Sequence, residues 1–175
     1  GYHPENGKEL WKINYGILGF SNVSKPLSFE DLFIASTGFM KGELHAYRMN
    51  GDHPPTLVWK MTKGAPKKPS PIIVDGLLYV INDGGILTCL NARDGEVLWR
   101  SRLEGEYSSS PTFADGKIYI SNHSGKTTVI QPGTSMKILA ENQLDDGHMA
   151  SFVPLRASFL IRTEKGLYRI GTGHP

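Results

Sequence analysis

The sequence predicts an all-β fold, a partial β-propeller of about four blades in which each blade is a four-stranded antiparallel sheet. The first observation is a repeat, because residues 69–105 and 109–146 align with their turns at an offset of 40 residues. The second is that each repeat divides into four short extended segments separated by turns. Four short strands in about 40 residues are typical of a propeller blade. The matching turn residues are Asp75, Gly76, Gly85, Asp115, Gly116 and Gly125.

The clearest repeat shows how the strands follow one another. Its Asp75-Gly76 pair is a two-residue hairpin signal. The segments on either side are rich in β-branched and aromatic residues, which favour strands. No stretch keeps a 3.6-residue apolar period with helix caps, so almost no helix is expected. The predicted strands of this repeat are residues 71–74, 77–81, 86–90 and 96–100.

Weaker copies of the repeat flank this pair and set the predicted organisation. We expect a single partial propeller domain over residues 1–175. Its parts are the end of a preceding blade (1–19), three blades (20–64, 65–105 and 106–146) and an incomplete terminal blade (147–175). Closed propellers have about four to eight blades. The chain is therefore predicted to be the C-terminal half of a larger propeller, whose open edges are covered by the remaining blades or by self-association.

Composition excludes several classes of protein. There are 19 Lys and Arg against 17 Asp and Glu, a net charge of +2 with both signs spread along the chain. This balance argues against a nucleic-acid partner. Cys89 is the only cysteine, which excludes an intrachain disulfide and a cysteine-built zinc site. No apolar run reaches the roughly 18 residues of a membrane span, so no transmembrane segment is predicted.

Two stretches carry a family resemblance. Residues 70–87 follow the pattern Ser-Pro-x-x-x-Asp-Gly-x-x-Tyr-Val-x-Asn-x-x-Gly-x-Leu, and residues 90–99 read Leu-Asn-Ala-Arg-Asp-Gly-Glu-Val-Leu-Trp. This resembles the pyrroloquinoline-quinone (PQQ)-like β-propeller repeat. The resemblance implies that the tryptophan of each repeat docks between neighbouring blades, next to a tight turn that contains glycine. The residues that match this docking motif are Gly7, Trp11, Trp59, Asp94, Gly95 and Trp99.

The resemblance leaves two functions open. The family includes quinoprotein dehydrogenases that hold PQQ and calcium, and propellers without a cofactor, such as the Bam-complex lipoproteins. The long dehydrogenases generally carry an adjacent cysteine pair, which this chain lacks, and no calcium-ligand set can be mapped onto it. We therefore expect a non-catalytic scaffold or interaction module without a cofactor. The alternative is a fragment of a PQQ-dependent oxidoreductase, with PQQ and calcium held by residues on absent blades.

The resemblance also bears on partners and location. Propeller rim loops present surfaces to other molecules, so we expect a protein or polysaccharide partner there. Proteins of this family are mostly exported across the bacterial inner membrane. A periplasmic or extracellular location is therefore expected from the resemblance, although a signal peptide is not present in this chain.

Few residues are candidates for chemistry. Asp145, Asp146 and His148 lie close together and could hold a divalent cation, whereas the simpler interpretation is a solvated turn. His123 occupies a turn position that differs between repeats, which indicates a surface side chain. Ser108 and the two serines after it are expected to face the central channel, with no base beside them to activate a nucleophile.

Overall fold

The computed structural model describes residues 1–16, 21–38, 40 and 42–171. Those residues form fifteen strands and contain no helix. The strands make four antiparallel sheets, and in each sheet the strands pair in chain order. This confirms the predicted all-β fold and the partial propeller of about four blades. Three parts of the predicted organisation include residues outside the described ones: residues 17–19 of the leading segment, residues 20, 39 and 41 of the blade 20–64, and residues 172–175 of the terminal blade.

The first two sheets, here called blades 1 and 2, each contain four strands. Blade 1 consists of β1 (Leu27–Phe29), β2 (Leu32–Ser36), β3 (Leu44–Asn50) and β4 (His53–Met61). Blade 2 consists of β5 (Ile72–Val74), β6 (Leu77–Ile81), β7 (Ile86–Asn91) and β8 (Val97–Arg102). The strands are three to nine residues long, as expected for propeller sheets separated by frequent turns.

The next two sheets, blades 3 and 4, continue the series. Blade 3 consists of β9 (Thr112–Ala114), β10 (Lys117–Ser121), β11 (Lys126–Ile130) and β12 (Ile138–Gln143). Blade 4 consists of β13 (Val153–Leu155), β14 (Ser158–Arg162) and β15 (Leu167–Gly171). Blade 4 thus has three strands in the described part of the chain.

The tight turns follow from the residues that occupy them. Asp75 and Gly76 have φ values of 49° and 77° and join β5 to β6. Positive φ at both central residues is the geometry of a type I′ turn, which suits the twist of a hairpin. Asp115 and Gly116 repeat this geometry between β9 and β10, with φ values of 49° and 68°.

The later turn of each repeat depends on close backbone contact. A Cβ atom on Gly85 would lie 2.4 Å from the carbonyl oxygen of Leu103, and one on Gly125 would lie 2.1 Å from that of Leu144. The amide of Leu103 donates a hydrogen bond to the Gly85 carbonyl at 2.8 Å. A side chain at either glycine would therefore disrupt the turn.

The leading segment is less regular. In residues 1–16 the structure shows one isolated antiparallel bridge, between Tyr2 and Glu9, and no strand. Gly7 lies in the turn between them with φ of 70°.

Two apolar cores hold the first three blades together. The first lies between blades 1 and 2 and contains Ile34, Leu44, Ala46, Trp59, Met61, Ala65, Leu78, Val80, Leu90 and Ala92. The second lies between blades 2 and 3 and contains Val74, Tyr79, Ile81, Leu87, Cys89, Leu103, Tyr107, Ile118, Ile120 and Ile130. Because alternate residues of a strand face opposite sides, each sheet contributes one face to each neighbouring interface.

Candidate functional site

The tryptophans lie at the interfaces between blades. Trp59, at the end of β4, donates a hydrogen bond from Nε1 to the backbone oxygen of Ala92 in blade 2 at 3.1 Å. Its ring covers Gly95, where a Cβ atom would lie 2.7 Å from Cδ2 of the indole. Asp94 shapes the same turn, because its Oδ1 accepts a hydrogen bond from the amide of Glu96 at 2.9 Å. The glycine therefore leaves room for the tryptophan of the preceding blade.

Trp99 makes the corresponding contact with blade 3. Its Nε1 donates to the backbone oxygen of Gly133 at 3.0 Å. The amide of Gly133 donates to the hydroxyl of Tyr79 at 2.7 Å. Trp11 differs, since its ring lies against Gly1 at the start of the chain. The structure therefore shows interblade docking for Trp59 and Trp99 and a local contact for Trp11.

The interface between blades 3 and 4 lacks the large side chains of the preceding interface. Ala140 pairs with Val129 where, one blade earlier, Trp99 pairs with Cys89. In the same way Ser121 pairs with Thr127, at the positions that Ile81 and Leu87 occupy in blade 2. The Ser121 and Thr127 hydroxyl oxygens are 2.8 Å apart, a hydrogen-bond distance. Small and polar residues thus replace apolar ones at equivalent positions.

A cavity of about 890 Å³ lies between these two blades. Four aromatic rings that line it form a continuous chain. Tyr119 and Phe159 have ring centroids 4.7 Å apart, Phe159 and Phe152 are 5.7 Å apart, and Phe152 and His148 are 5.5 Å apart. The exposed residues Asp115 and Arg156 also line the cavity.

The structure corrects the solvated-turn interpretation of residues 145–148. Asp145 is exposed, but Asp146 and His148 are buried. Oδ2 of Asp146 accepts a hydrogen bond from the amide of Lys165 at 3.2 Å, while its Oδ1 has no partner. Among the described residues no group of three or more His, Cys, Asp or Glu side chains could hold a metal ion. The cation hypothesis for Asp145, Asp146 and His148 therefore gains no support from the geometry.

His148 takes the place of a tyrosine in the preceding interface. Its backbone amide donates to the carbonyl of His123, as the amide of Tyr107 donates to the carbonyl of Asp83. The Tyr107 hydroxyl donates to a backbone oxygen at 2.9 Å, but neither ring nitrogen of His148 has a hydrogen-bond partner. Burial lowers the pKa of His148 below its ordinary value, which outweighs the opposing effect of Asp146. The imidazole is therefore neutral near pH 7.

The serine segment has a base beside it, so the expectation of no base was wrong. Oγ of Ser108 lies 2.7 Å from Nε2 of His123. Nδ1 of His123 faces the exposed carboxylate of Glu106 at 3.7 Å, which is too long for a hydrogen bond. The Ser109 hydroxyl donates its hydrogen bond to a different acceptor, the Ser121 carbonyl, at 2.6 Å. His123 can accept a proton from Ser108, but the carboxylate does not hold the imidazole in place.

Sequence reasoning missed a buried polar chain that begins at Glu43, just before β3, and continues into that strand. Nε2 of His45 lies 2.8 Å from Oε2 of Glu43, and its Nδ1 lies 2.8 Å from the hydroxyl of Tyr47. All three side chains are buried. Burial is the largest cause that raises the pKa of Tyr47. The signal was present in the alternation of Glu, His and Tyr at every second position, which places them on one face of the strand.

Blade 4 exposes apolar side chains. All five residues of β15 are exposed, and Leu167 keeps 69% of its surface accessible. In the described residues β15 pairs with β14 on one side only. The other exposed apolar residues of this blade are Val153, Leu155, Tyr168 and Ile170. Among the described residues, blade 4 therefore presents exposed apolar side chains and an edge of β15 that has no pairing strand.

Two features of the described residues bear on PQQ and calcium. No group of three or more His, Cys, Asp or Glu side chains among them could hold a metal ion, and Cys89 is a free, buried thiol. Burial raises the pKa of this thiol to about 11, so it stays protonated and unreactive.

In the described part of the chain no helix is long and apolar enough to cross a membrane.

Comparisons with known proteins show which structures and which family the chain is similar to. No curated protein matches the sequence. The structure is similar to a europium-containing methanol dehydrogenase with a TM-score of 0.57 and 13% identity, over 66% of this chain and 23% of that one. It is also similar to BamB from Moraxella catarrhalis with a TM-score of 0.47 and 14% identity, over 94% of this chain and 63% of that one.

The chain thus spans about a quarter of the dehydrogenase and under two thirds of the BamB structure. A family model described as outer membrane protein assembly factor BamB matches residues 1–135. This match covers the first copy of the repeat, most of the second copy and both docked tryptophans, and it confirms the resemblance inferred from the repeat. The chain belongs to the PQQ-like β-propeller family that this model describes.

Proposed function

We propose that this chain is a non-catalytic interaction module that takes part in assembling outer-membrane proteins. The observation that carries the proposal is the set of exposed apolar side chains on blade 4, beside an edge of β15 that has no pairing strand among the described residues. Exposed apolar patches on rigid domains mark sites of protein interaction. The family description, an outer membrane protein assembly factor, supports the same role.

The structure offers two ways to hold a protein partner. An extended segment of a partner can add to the open edge of β15 through backbone hydrogen bonds, which is a common mode of peptide recognition. The exposed Leu167 and Ile170 side chains supply apolar area beside that edge. Rigidity comes from the filled interfaces between blades 1, 2 and 3. A periplasmic location suits this role and is part of the proposal.

A strain that lacks the full-length protein tests the function. We expect it to contain less folded, heat-modifiable β-barrel protein in the outer membrane than its parent, and the plasmid-borne gene to restore the level. An unchanged level in the deletion strain would refute the proposed function.

Substitution in blade 4 tests the surface. Leu167→Asp places a charge on the apolar surface, and Val23→Asp is the matched control at a 61% exposed residue in a loop before blade 1. We expect Leu167→Asp to lower assembly at normal abundance of the variant, and Val23→Asp to have no effect. Normal assembly with a stable Leu167→Asp protein would remove blade 4 from the proposal.

A further inference from the structure

The cavity between blades 3 and 4 follows from the sequence of this blade. The interface between blades 2 and 3 uses the same register and is filled by a tryptophan, an isoleucine and a leucine. At the corresponding positions blade 3 carries Ala140, Ser121 and Thr127. Thr127 lines the cavity, and the hydroxyl of Ser121 lies 2.8 Å from that of Thr127. Smaller and more polar side chains therefore stand at this interface than at the filled interface of blade 2. The cavity's size of about 890 Å³ is in the range of sites for small organic molecules.

The walls of the cavity suit a flat molecule. The ring chain of Tyr119, Phe159, Phe152 and His148 runs along it, with neighbouring centroids 4.7 to 5.7 Å apart. Aromatic rings pack well against another aromatic ring in offset or edge-to-face geometry. Leu144 and Ile161 add aliphatic contacts. The charged groups of Asp115 and Arg156 are exposed, so the buried part of the cavity favours an uncharged ligand.

His148 supplies the polar contact. Only 3% of its surface is accessible, and both ring nitrogens lack a hydrogen-bond partner. A buried polar group without a partner is costly. A neutral imidazole has one N–H donor and one nitrogen acceptor. A hydroxyl group both donates and accepts, and it therefore complements either nitrogen of this ring.

We propose that the cavity between blades 3 and 4 binds a planar aromatic molecule that carries a hydroxyl group. The ring lies among the aromatic side chains, and the hydroxyl forms a hydrogen bond with His148. Leu155 and Ile170 belong both to the cavity lining and to the exposed apolar residues of blade 4. The proposal rests on the aromatic rings and His148, and it does not depend on the function proposed above.

The test uses 2-naphthol as the probe and naphthalene as the same ring without the hydroxyl. We expect the full-length protein to bind one 2-naphthol saturably in a fluorescence titration. Naphthalene should bind about tenfold more weakly, because it cannot form the hydrogen bond to His148. A net contribution of about 1.4 kcal/mol from one hydrogen bond corresponds to a tenfold difference in affinity. His148→Phe should remove this preference, whereas the exposed His53→Phe control should keep it.

A second variant tests the same cavity without changing position 148, so the test does not depend on whether His148→Phe folds. The double substitution Ser121→Ile and Thr127→Leu copies the filled interface of blade 2 and should weaken 2-naphthol binding at least about tenfold through loss of volume. No saturable binding by the folded wild-type protein would overturn the proposal and indicate a cavity that holds only water. An unchanged preference in folded His148→Phe, or unchanged binding in the double variant, would also overturn it.

Discussion

Gly95→Ala tests whether tryptophan docking holds the blades together. The added Cβ would lie 2.7 Å from Cδ2 and 2.8 Å from Cγ of Trp59, well inside van der Waals contact. The ring must shift, and overpacking of this kind costs about 1–3 kcal/mol. The residue also has φ of 76°, where a non-glycine residue costs roughly 1–2 kcal/mol. The sum lowers the free energy of unfolding by about 2–5 kcal/mol.

Gly116→Ala is the matched control for this substitution. Gly116 has φ of 68°, but a Cβ atom there would meet nothing within 4 Å. The control therefore carries the backbone cost of about 1–2 kcal/mol without the collision. Urea unfolding of the full-length protein, followed by tryptophan fluorescence, measures both values. Equal destabilisation by the two variants would refute the docking argument.

Three further predictions concern the interface of blades 3 and 4 and the open edge. The double substitution Ser121→Ile and Thr127→Leu places larger apolar side chains in and beside the cavity wall and should raise the free energy of unfolding by about 1–2 kcal/mol in urea, as cavity filling commonly does. Destabilisation would show that this interface cannot close as that of blade 2 does. Burial lowers the folded-state pKa of His148 below 6.5, so its contribution to stability is complete above about pH 6.5 and is lost as the pH falls through the folded-state pKa. His148→Phe should therefore flatten the acid side of the stability profile in thermal melts, and an unchanged profile would contradict this assignment. Residues 1–175 alone should self-associate through blade 4 as concentration rises, and sedimentation as a monomer at all concentrations would contradict it.

The fold could be predicted from the sequence because the same turn residues recur at equivalent positions in consecutive repeats. Asp75-Gly76 and Asp115-Gly116 mark the same hairpin in consecutive blades, and the short apolar segments between turns leave room only for strands. A local pattern of this kind determines local structure. Stacking of equivalent sheets then follows, because a single blade cannot bury both of its faces.

The site was harder to predict because it depends on contacts between blades. Asp146 and His148 occupy a segment with turn composition, yet the neighbouring sheet buries them. Ser108 and His123 are 15 residues apart, and they meet only after the strand pairing of blade 3 has formed. The cavity did leave a signal, since the aligned repeat has no tryptophan in residues 138–142, where the counterpart of Trp99 should fall. Its meaning required the strand register, because the register shows which residues share a face.

Calorimetric titration of PQQ with calcium into the full-length protein tests the claim of a non-catalytic module most directly. The described residues offer neither a calcium-binding cluster nor a reactive thiol. We expect no saturable heat with PQQ, with or without calcium. Saturable binding at micromolar affinity would contradict the account and would favour the quinoprotein oxidoreductase instead.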